Sequence, residues 1–60
     1  MDHQSLTQYL DKHVRITLSN GFWYRAKIIK VSENTVQFIE EKGRIINVTP
    51  EAITILEDLN

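Results

Sequence analysis

Apolar and polar residues alternate at the start of the central region of this chain, in the pattern of a β-strand with one buried face. The apolar positions there are Val14, Ile16 and Leu18. The alternation resumes after Ser19-Asn20-Gly21, and a three-residue turn would place Ile16 opposite Tyr24 and keep that face apolar. A two-residue turn would place Ile16 opposite Arg25 instead. We therefore predict a hairpin in the first register, with Gly21 in the left-handed conformation that glycine adopts at little cost.

The second strand of this hairpin is long, and its alternation fails in the middle. Tyr24, Ala26 and Ile28 continue the inward set, but Ile29-Lys30-Val31 follows them without a clear period. A slipped period predicts a β-bulge or bend, which lets a small sheet curl on itself. The polar segment Ser32-Glu33-Asn34 then predicts a short turn.

A second hairpin is predicted over residues 35–49, because Glu41-Lys42-Gly43 is another three-residue loop that ends in glycine. In that register both faces pair apolar residues with apolar residues: Phe38 with Ile46, Val36 with Val48, and Ile39 with Ile45. Glu40 faces Arg44, and we predict an exposed ion pair between these two side chains.

Two further segments have helical signals. Ser5 followed three places on by Gln8 predicts a capping box and a helix over about residues 5–12. This helix must lie on the sheet, because so short a helix is not stable alone in water. Thr49 as cap and Pro50 in the first helical position predict one more helical turn.

A last strand is predicted from Ala52 to Glu57, with Ile53 and Ile55 on one side and Leu56 on the other. Several apolar residues then remain on the outer face or an edge: Ile29, Ile39, Ile45 and Leu56. Apolar strand edges invite pairing with another copy, so we predict a closed oligomer that is built edge to edge.

The predicted fold class is all-β with one short N-terminal helix. Five short antiparallel strands in so few residues close most economically as a small, strongly bent barrel. We expect a single domain over residues 1–60, with the helix at about 5–12 and the barrel at about 13–57.

Composition limits the partners that this protein can have. A chain of 60 residues without cysteine has no disulfide and only a marginal core, which again favours self-association. Seven basic and eight acidic residues give a net charge of −1, so any contact with nucleic acid must be local. The absence of a membrane-length apolar run and of a signal peptide predicts a soluble, cytoplasmic protein with no membrane partner.

One group of residues carries candidate binding chemistry. Trp23, Arg25 and Lys27 share the outward face of the long strand, where an aromatic ring can stack on a base while cations bind phosphates. The alternative interpretation is that Trp23 packs under the helix or at a subunit contact while the cations are solvated. His3 and His13 are interpreted as surface residues rather than metal ligands, because no second ligand has a suitable spacing.

No pattern of an enzyme is found in the sequence. There is no phosphate-binding glycine loop and no nucleophile with its base, and a barrel this small fills its interior with side chains. Glu40-Glu41 is interpreted as part of a solvated turn rather than a catalytic pair. We therefore predict no enzymatic activity, no catalytic residue, no cofactor, no metal and no small-molecule substrate.

The first hairpin also matches a known motif of alternating apolar residues, glycine, an aromatic and a small residue. The matching positions are Ile16, Leu18, Gly21, Tyr24, Ala26, Ile28 and Val31, followed by Ser32-Glu33-Asn34. In this motif, and in the order of one helix and five strands, the chain resembles the Sm-like family, which includes the Sm and Lsm proteins and Hfq. The resemblance covers almost the whole chain.

The resemblance implies a homo-oligomeric ring of about six or seven copies that binds single-stranded RNA as a scaffold or chaperone. Family members pair the fourth and fifth strands of neighbouring copies and hold uridine-rich RNA near the pore, with the turns that follow strands two and four. At those turns this chain has Ser32, Asn34 and Thr49, which the resemblance makes the candidate pore-type RNA-binding residues. Ser32 stands where an aspartate is usual.

The second of these turns departs from the family. Family members carry Arg-Gly or Tyr-Lys-His there, whereas this chain has Thr49-Pro50-Glu51. The departure favours an alternative function, a non-enzymatic assembly or protein-interaction module of the same fold without RNA binding. A monomeric small barrel that reads a peptide or double-stranded DNA is a further alternative.

Overall fold

A computed structural model of the chain describes residues 1–59 and shows one antiparallel sheet of five strands with a short helix. The elements in chain order are helix α1 (His3–Thr7), strands β1 (His13–Leu18), β2 (Trp23–Val31), β3 (Val36–Glu40) and β4 (Ile45–Val48), a 3-10 turn (Pro50–Ala52) and strand β5 (Ile53–Asp58). The strand order is β4-β3-β2-β1-β5. Within residues 1–59 the sheet is open, with β4 and β5 at its edges, so the single chain does not form the predicted closed barrel.

Both predicted hairpin registers are confirmed. Ile16 lies opposite Tyr24 in the first hairpin, and Phe38 lies opposite Ile46 in the second. Each three-residue loop ends in a glycine with positive φ, +90° at Gly21 and +94° at Gly43. Because L-residues rarely adopt this conformation, the glycines fix the turn type and therefore the register.

The predicted irregularity in the long strand β2 is also confirmed. Ile28 pairs with Phe38 and Lys30 pairs with Gln37, so Ile29 is the extra residue of a bulge. Residues 23–27 of β2 pair with β1, whereas residues 26–31 pair with β3. The bulge therefore lies in the half of β2 that belongs to the second hairpin.

The helix is shorter than predicted and begins earlier. The Asp2 carboxylate accepts a hydrogen bond from the Ser5 backbone N–H at 2.8 Å, which makes Asp2 the N-cap. The prediction of Ser5 as the cap is therefore wrong, and the Gln8 side chain donates to the Ser5 carbonyl oxygen instead. The chain leaves the helix after Thr7, and Asp11 has a positive φ of 63°.

The predicted faces of the last strand are wrong. β5 pairs with β1 through a register shift, in which Leu18 lies opposite Ile53 and Thr17 lies opposite Ile55. The intervening residue bulges out and reverses the alternation. Ile53 is therefore buried and Ile55 is exposed, while Leu56, which we expected outside, packs against the core.

The turn before β5 agrees with the prediction in part. Pro50 is the first residue of the 3-10 turn and is buried, but the Thr49 side chain makes no capping hydrogen bond. The expected outer residues Ile39 and Ile45 are exposed, while Ile29 is half-buried.

The core lies on the inward face of the sheet and under α1. Its apolar members are Leu6, Val14, Ile16, Leu18, Ala26, Ile28, Val36, Phe38 and Ile53. Glu40 also lies on this face and is only 7% exposed. The predicted ion pair with Arg44 is present, but its carboxylate is buried and not exposed as predicted.

Candidate nucleic-acid interface

The outward face of the first hairpin carries two consecutive cross-strand pairs of basic residues. His13 lies opposite Lys27, and Arg15 lies opposite Arg25. Trp23 follows in the next row of the same face, opposite Thr17. Since side chains alternate along a strand, these residues all lie opposite the core-facing set. We call His13, Arg15, Trp23, Arg25 and Lys27 the basic face.

Trp23 is held in an accessible position on the basic face. The guanidinium carbon of Arg15 lies 4.6 Å from the centroid of the Trp23 ring, which is the geometry of a cation–π contact. The Trp23 residue is nevertheless 53% exposed. In the single chain it therefore does not pack under the helix, and one side of an oriented indole ring is left for a ligand.

The charges of the basic face are poorly compensated within residues 1–59. Arg15 approaches Glu57 only at 4.0 Å, and its buried Nε atom has no hydrogen-bond partner. Arg25 and Lys27 form no ion pair in this part of the chain. Like charges directly opposite each other destabilise a sheet, so the Arg15–Arg25 pair favours binding of an anion that would relieve the repulsion.

A groove of about 420 Å³ lies beside the basic face. Its lining residues are His13, Arg25, Ala26, Lys27, Ile39, Glu40, Glu41 and Leu59. The strand register explains why cations and apolar residues meet in this groove, because Ile39 is the outward residue of β3 that lies beside Lys27 of β2. The groove therefore has cations on the side of the first hairpin and apolar and acidic residues around them.

Glu40 stabilises the turn of the second hairpin through one of its two carboxylate oxygens. Its Oε1 atom accepts hydrogen bonds from Arg44 Nε at 3.3 Å and from the backbone N–H groups of Lys42 and Arg44 at 3.1 and 3.4 Å. The hydrogen bond from the Arg44 side chain lowers the pKa of this carboxyl below its usual value, although desolvation opposes the change. Glu41 is exposed and is the free carboxylate next to it.

The candidate pore-type residues lie at the other end of β2 from Trp23. The Val36–Val48 pair brings the Ser32–Asn34 turn and Thr49 to the same end of the sheet. The Ser32 hydroxyl donates to the Thr35 carbonyl oxygen and accepts from the Thr35 N–H, both at 3.2 Å. Asn34 and Thr49 are exposed. The geometry thus leaves two of the three side chains accessible.

The sequence prediction included three members of the basic face and missed two, Arg15 and His13. The signal for Arg15 was present, because the predicted three-residue turn already places Arg15 opposite Arg25. His13 was assigned to the surface without a partner, whereas the register places it opposite Lys27.

Comparisons with known proteins do not identify a function for this site. Neither a scan against known protein families nor a search of curated proteins finds a match. Residues 1–59 contain no group of three or more potential ligands arranged to hold a metal ion. In the same range, every helix is too short or too polar to cross a membrane. The fold and the site therefore define a small antiparallel β protein with a basic, aromatic outer face.

Proposed function

We propose that this chain is a ring-forming protein of Sm-like type that binds single-stranded RNA as a scaffold or chaperone. The observation that carries the proposal is the half-exposed Trp23 ring, oriented by Arg15 beside Arg25 and Lys27, two cations without an ion-pair partner in residues 1–59. Stacking of a base on such a ring contributes roughly 1–3 kcal/mol and tolerates every base. The guanidinium groups bind phosphates in a bidentate manner.

Single-stranded nucleic acid fits this face better than a duplex does. The protein has a net charge of −1, so it lacks the general attraction for phosphates that supports duplex binding. A stacking ring requires an unpaired base, which single strands present. The binding free energy is therefore concentrated on the few residues around Trp23.

The two open edges of the described sheet support the proposed assembly. β4 has unpaired backbone groups along one side, and Ile45 on this strand is 57% exposed. Pairing of β4 with β5 of another copy would cover both edges through a head-to-tail contact, which must close into a ring or polymerise. In a ring, the end of the sheet that carries Asn34 and Thr49 would meet the same end of every other copy, as the resemblance to the family implies. Together these ends would provide a pore-type RNA site that includes Ser32.

A second candidate function is an assembly or protein-interaction module that does not bind RNA. It is favoured by the segment Thr49-Pro50-Glu51, which has no basic side chain and carries a carboxylate where RNA would approach the pore. This candidate keeps the edge pairing and removes the pore-type site.

The decisive experiment measures particle mass by light scattering with and without oligo(U) or oligo(A), at two salt concentrations. We expect a mass several times 7.0 kDa and a salt-dependent RNA complex. A monomer at micromolar concentration would contradict the ring, and Ile45→Lys should lower the mass of a genuine ring. An assembled protein without RNA affinity would support the second candidate.

Variants identify the face that RNA uses. Trp23→Ala should weaken oligonucleotide binding by 1–3 kcal/mol, about 5- to 150-fold, because it removes one stacked base. Phe22→Ala is the matched control, since Phe22 is a neighbouring exposed aromatic outside the basic face. Asn34→Ala tests the pore-type site in the same assay. A loss with Asn34→Ala and none with Trp23→Ala would place RNA on the pore rather than on the basic face.

A further inference from the structure

The groove beside the basic face has features that stacking on Trp23 does not use. Its size of about 420 Å³ lies in the range of small-ligand sites. Trp23 is not among its lining residues, whereas Lys27, Ile39 and Leu59 are. A ligand in this groove would therefore lie beside the Trp23 stacking position and not on it.

Three chemical features of the groove converge. Arg25 and Lys27 are exposed cations without an ion-pair partner in residues 1–59, and His13 adds a ring N–H donor beside them. Ile39 and Leu59 supply exposed apolar surface. Glu41 supplies a carboxylate that no side chain in the described part of the chain neutralises, because Arg44 binds Glu40.

Each feature corresponds to one part of a nucleotide. A phosphate monoester carries nearly two negative charges at neutral pH and suits two or three clustered cations. The flat faces of a nucleobase suit exposed aliphatic side chains such as Ile39, and the N–H groups on its edge suit a carboxylate acceptor such as Glu41. A simple carboxylate or inorganic phosphate would contact only the cations and would not use the apolar residues or the carboxylate of the groove.

We propose that this groove binds a nucleotide as a terminal phosphate monoester, with the phosphate at Arg25 and Lys27 and the base against Ile39 and Leu59, close to Glu41. The ligand could be a free mononucleotide or the phosphorylated end of an RNA strand, since the two share this chemistry. The inference goes beyond RNA binding at Trp23 and does not depend on ring formation.

Calorimetric titration of the full chain with AMP and UMP tests the groove directly. Adenosine and inorganic phosphate serve as the two half-ligands. We expect each half-ligand to bind at least about tenfold more weakly than the nucleotide, because each loses one set of contacts. Equal affinity for AMP and inorganic phosphate would overturn the proposal, since the basic face would then be attracting any anion.

Two pairs of variants locate the ligand. Lys27→Gln should weaken AMP binding by about 10- to 100-fold, because one charge-assisted hydrogen bond is lost. Lys30→Gln makes the same change of charge on an exposed position of the same strand outside the groove and should have no effect. Ile39→Thr should also weaken AMP binding, whereas Ile55→Thr, at another exposed isoleucine, should not. Equal losses in both members of each pair would contradict binding in the groove.

Trp23 fluorescence and the Trp23→Ala variant distinguish nucleotide binding in the groove from stacking of RNA bases on Trp23. It is the sole tryptophan, so its fluorescence should change with an oligonucleotide and stay constant with AMP. In the Trp23→Ala variant, AMP affinity should persist although general RNA affinity falls. An RNA with a terminal phosphate that binds this variant better than its hydroxyl form would assign the site to RNA ends, whereas binding of AMP alone would assign it to free nucleotides. Loss of AMP binding in Trp23→Ala would overturn the separate groove.

Discussion

The two hairpins of this sheet have the same turn and different outer surfaces. Each uses a three-residue loop that ends in a glycine with a φ near +90°, and each directs an apolar face to the shared core. Outside, the first hairpin displays the cations and indole of the basic face. The second displays Ile39 opposite Ile45 and a hydrogen bond between the Gln37 and Asn47 side chains.

The position of each hairpin in the sheet explains this difference. β1 lies between β2 and β5, and β2 lies between β1 and β3, so the first hairpin is in the interior of the sheet and presents its outer side chains rather than a strand edge. β4 ends the sheet, so the second hairpin presents backbone groups and an exposed isoleucine to any partner strand. The same turn therefore occurs in a hairpin with a charged and aromatic outer face and in a hairpin that ends the described sheet.

The largest expected effect tests whether the hairpins share one core. Phe38→Ala should lower the free energy of unfolding by about 3–5 kcal/mol and Ile16→Ala by about 2–5 kcal/mol, because both side chains are completely buried. Either loss is comparable to the whole stability of so small a domain. Chemical denaturation followed by circular dichroism measures both, with Phe38→Leu as the milder control. A variant that melts one hairpin and leaves the other folded would contradict a common core.

A smaller effect tests whether the two turns are equivalent. Gly21→Ala and Gly43→Ala should each cost about 1–2 kcal/mol, because an added Cβ is strained at positive φ although no atom beyond the adjacent residues lies within 4 Å of it. Thermal unfolding should give similar losses for the two variants, and an asparagine at either position should cost less. A large difference between the two alanine variants would show that one turn is held by other contacts.

At acidic pH, the loss of folding stability should depend on the second hairpin, which contains Glu40. The hydrogen bonds from Arg44 and the turn amides lower the pKa of Glu40 in the folded state. The stabilisation by this carboxylate is therefore complete above its ordinary pKa of 4.5 and is lost as the pH falls through the lowered folded value. Glu40→Gln should flatten this part of the stability curve. Glu33→Gln, which removes a carboxylate from an exposed turn, is the control variant.

The smallest expected effect is that of Arg25→Thr, which should raise folding stability but weaken ligand binding. Arg25→Thr should raise the free energy of unfolding by about 0.2–1 kcal/mol, because it removes the like charge opposite Arg15. The same variant should weaken binding of RNA and of AMP. If Arg25→Thr destabilises the protein, the two guanidinium groups do not repel each other in the free state. Lys30→Thr controls for the propensity of threonine for strands.

Much of the fold could be predicted because its determinants are local. Gly21 and Gly43 fix the two turns, and each turn fixes a register that the alternation of apolar residues then confirms. The bulge at Ile29 was detectable because it interrupts that alternation. The helix start was missed because Asp2 and Ser5 are both good caps, and in the structure Asp2 is the one that caps the helix.

The error in β5 has a non-local cause, whereas the error at Glu40 has a local one. The exposure of Ile55 and the partial burial of Leu56 follow from a bulge that forms only when β5 pairs with β1. Glu40 continues the inward alternation of Val36 and Phe38, so its burial was indicated by its own strand and was missed because a charged residue was assumed to be exposed. In the candidate site, Trp23, Arg25 and Lys27 were predictable from one strand, whereas the groove needs residues from both hairpins and Leu59 together.

The pairing of the last strand with the first has a consequence for synthesis. A chain that leaves the ribosome can form both hairpins as soon as their turns emerge, but one side of β1 stays bare until Ile53–Asp58 follows. During that interval neighbouring nascent chains on one messenger can offer a substitute strand. The β1 edge is therefore a site where a strand of another chain could pair before β5 of the same chain does.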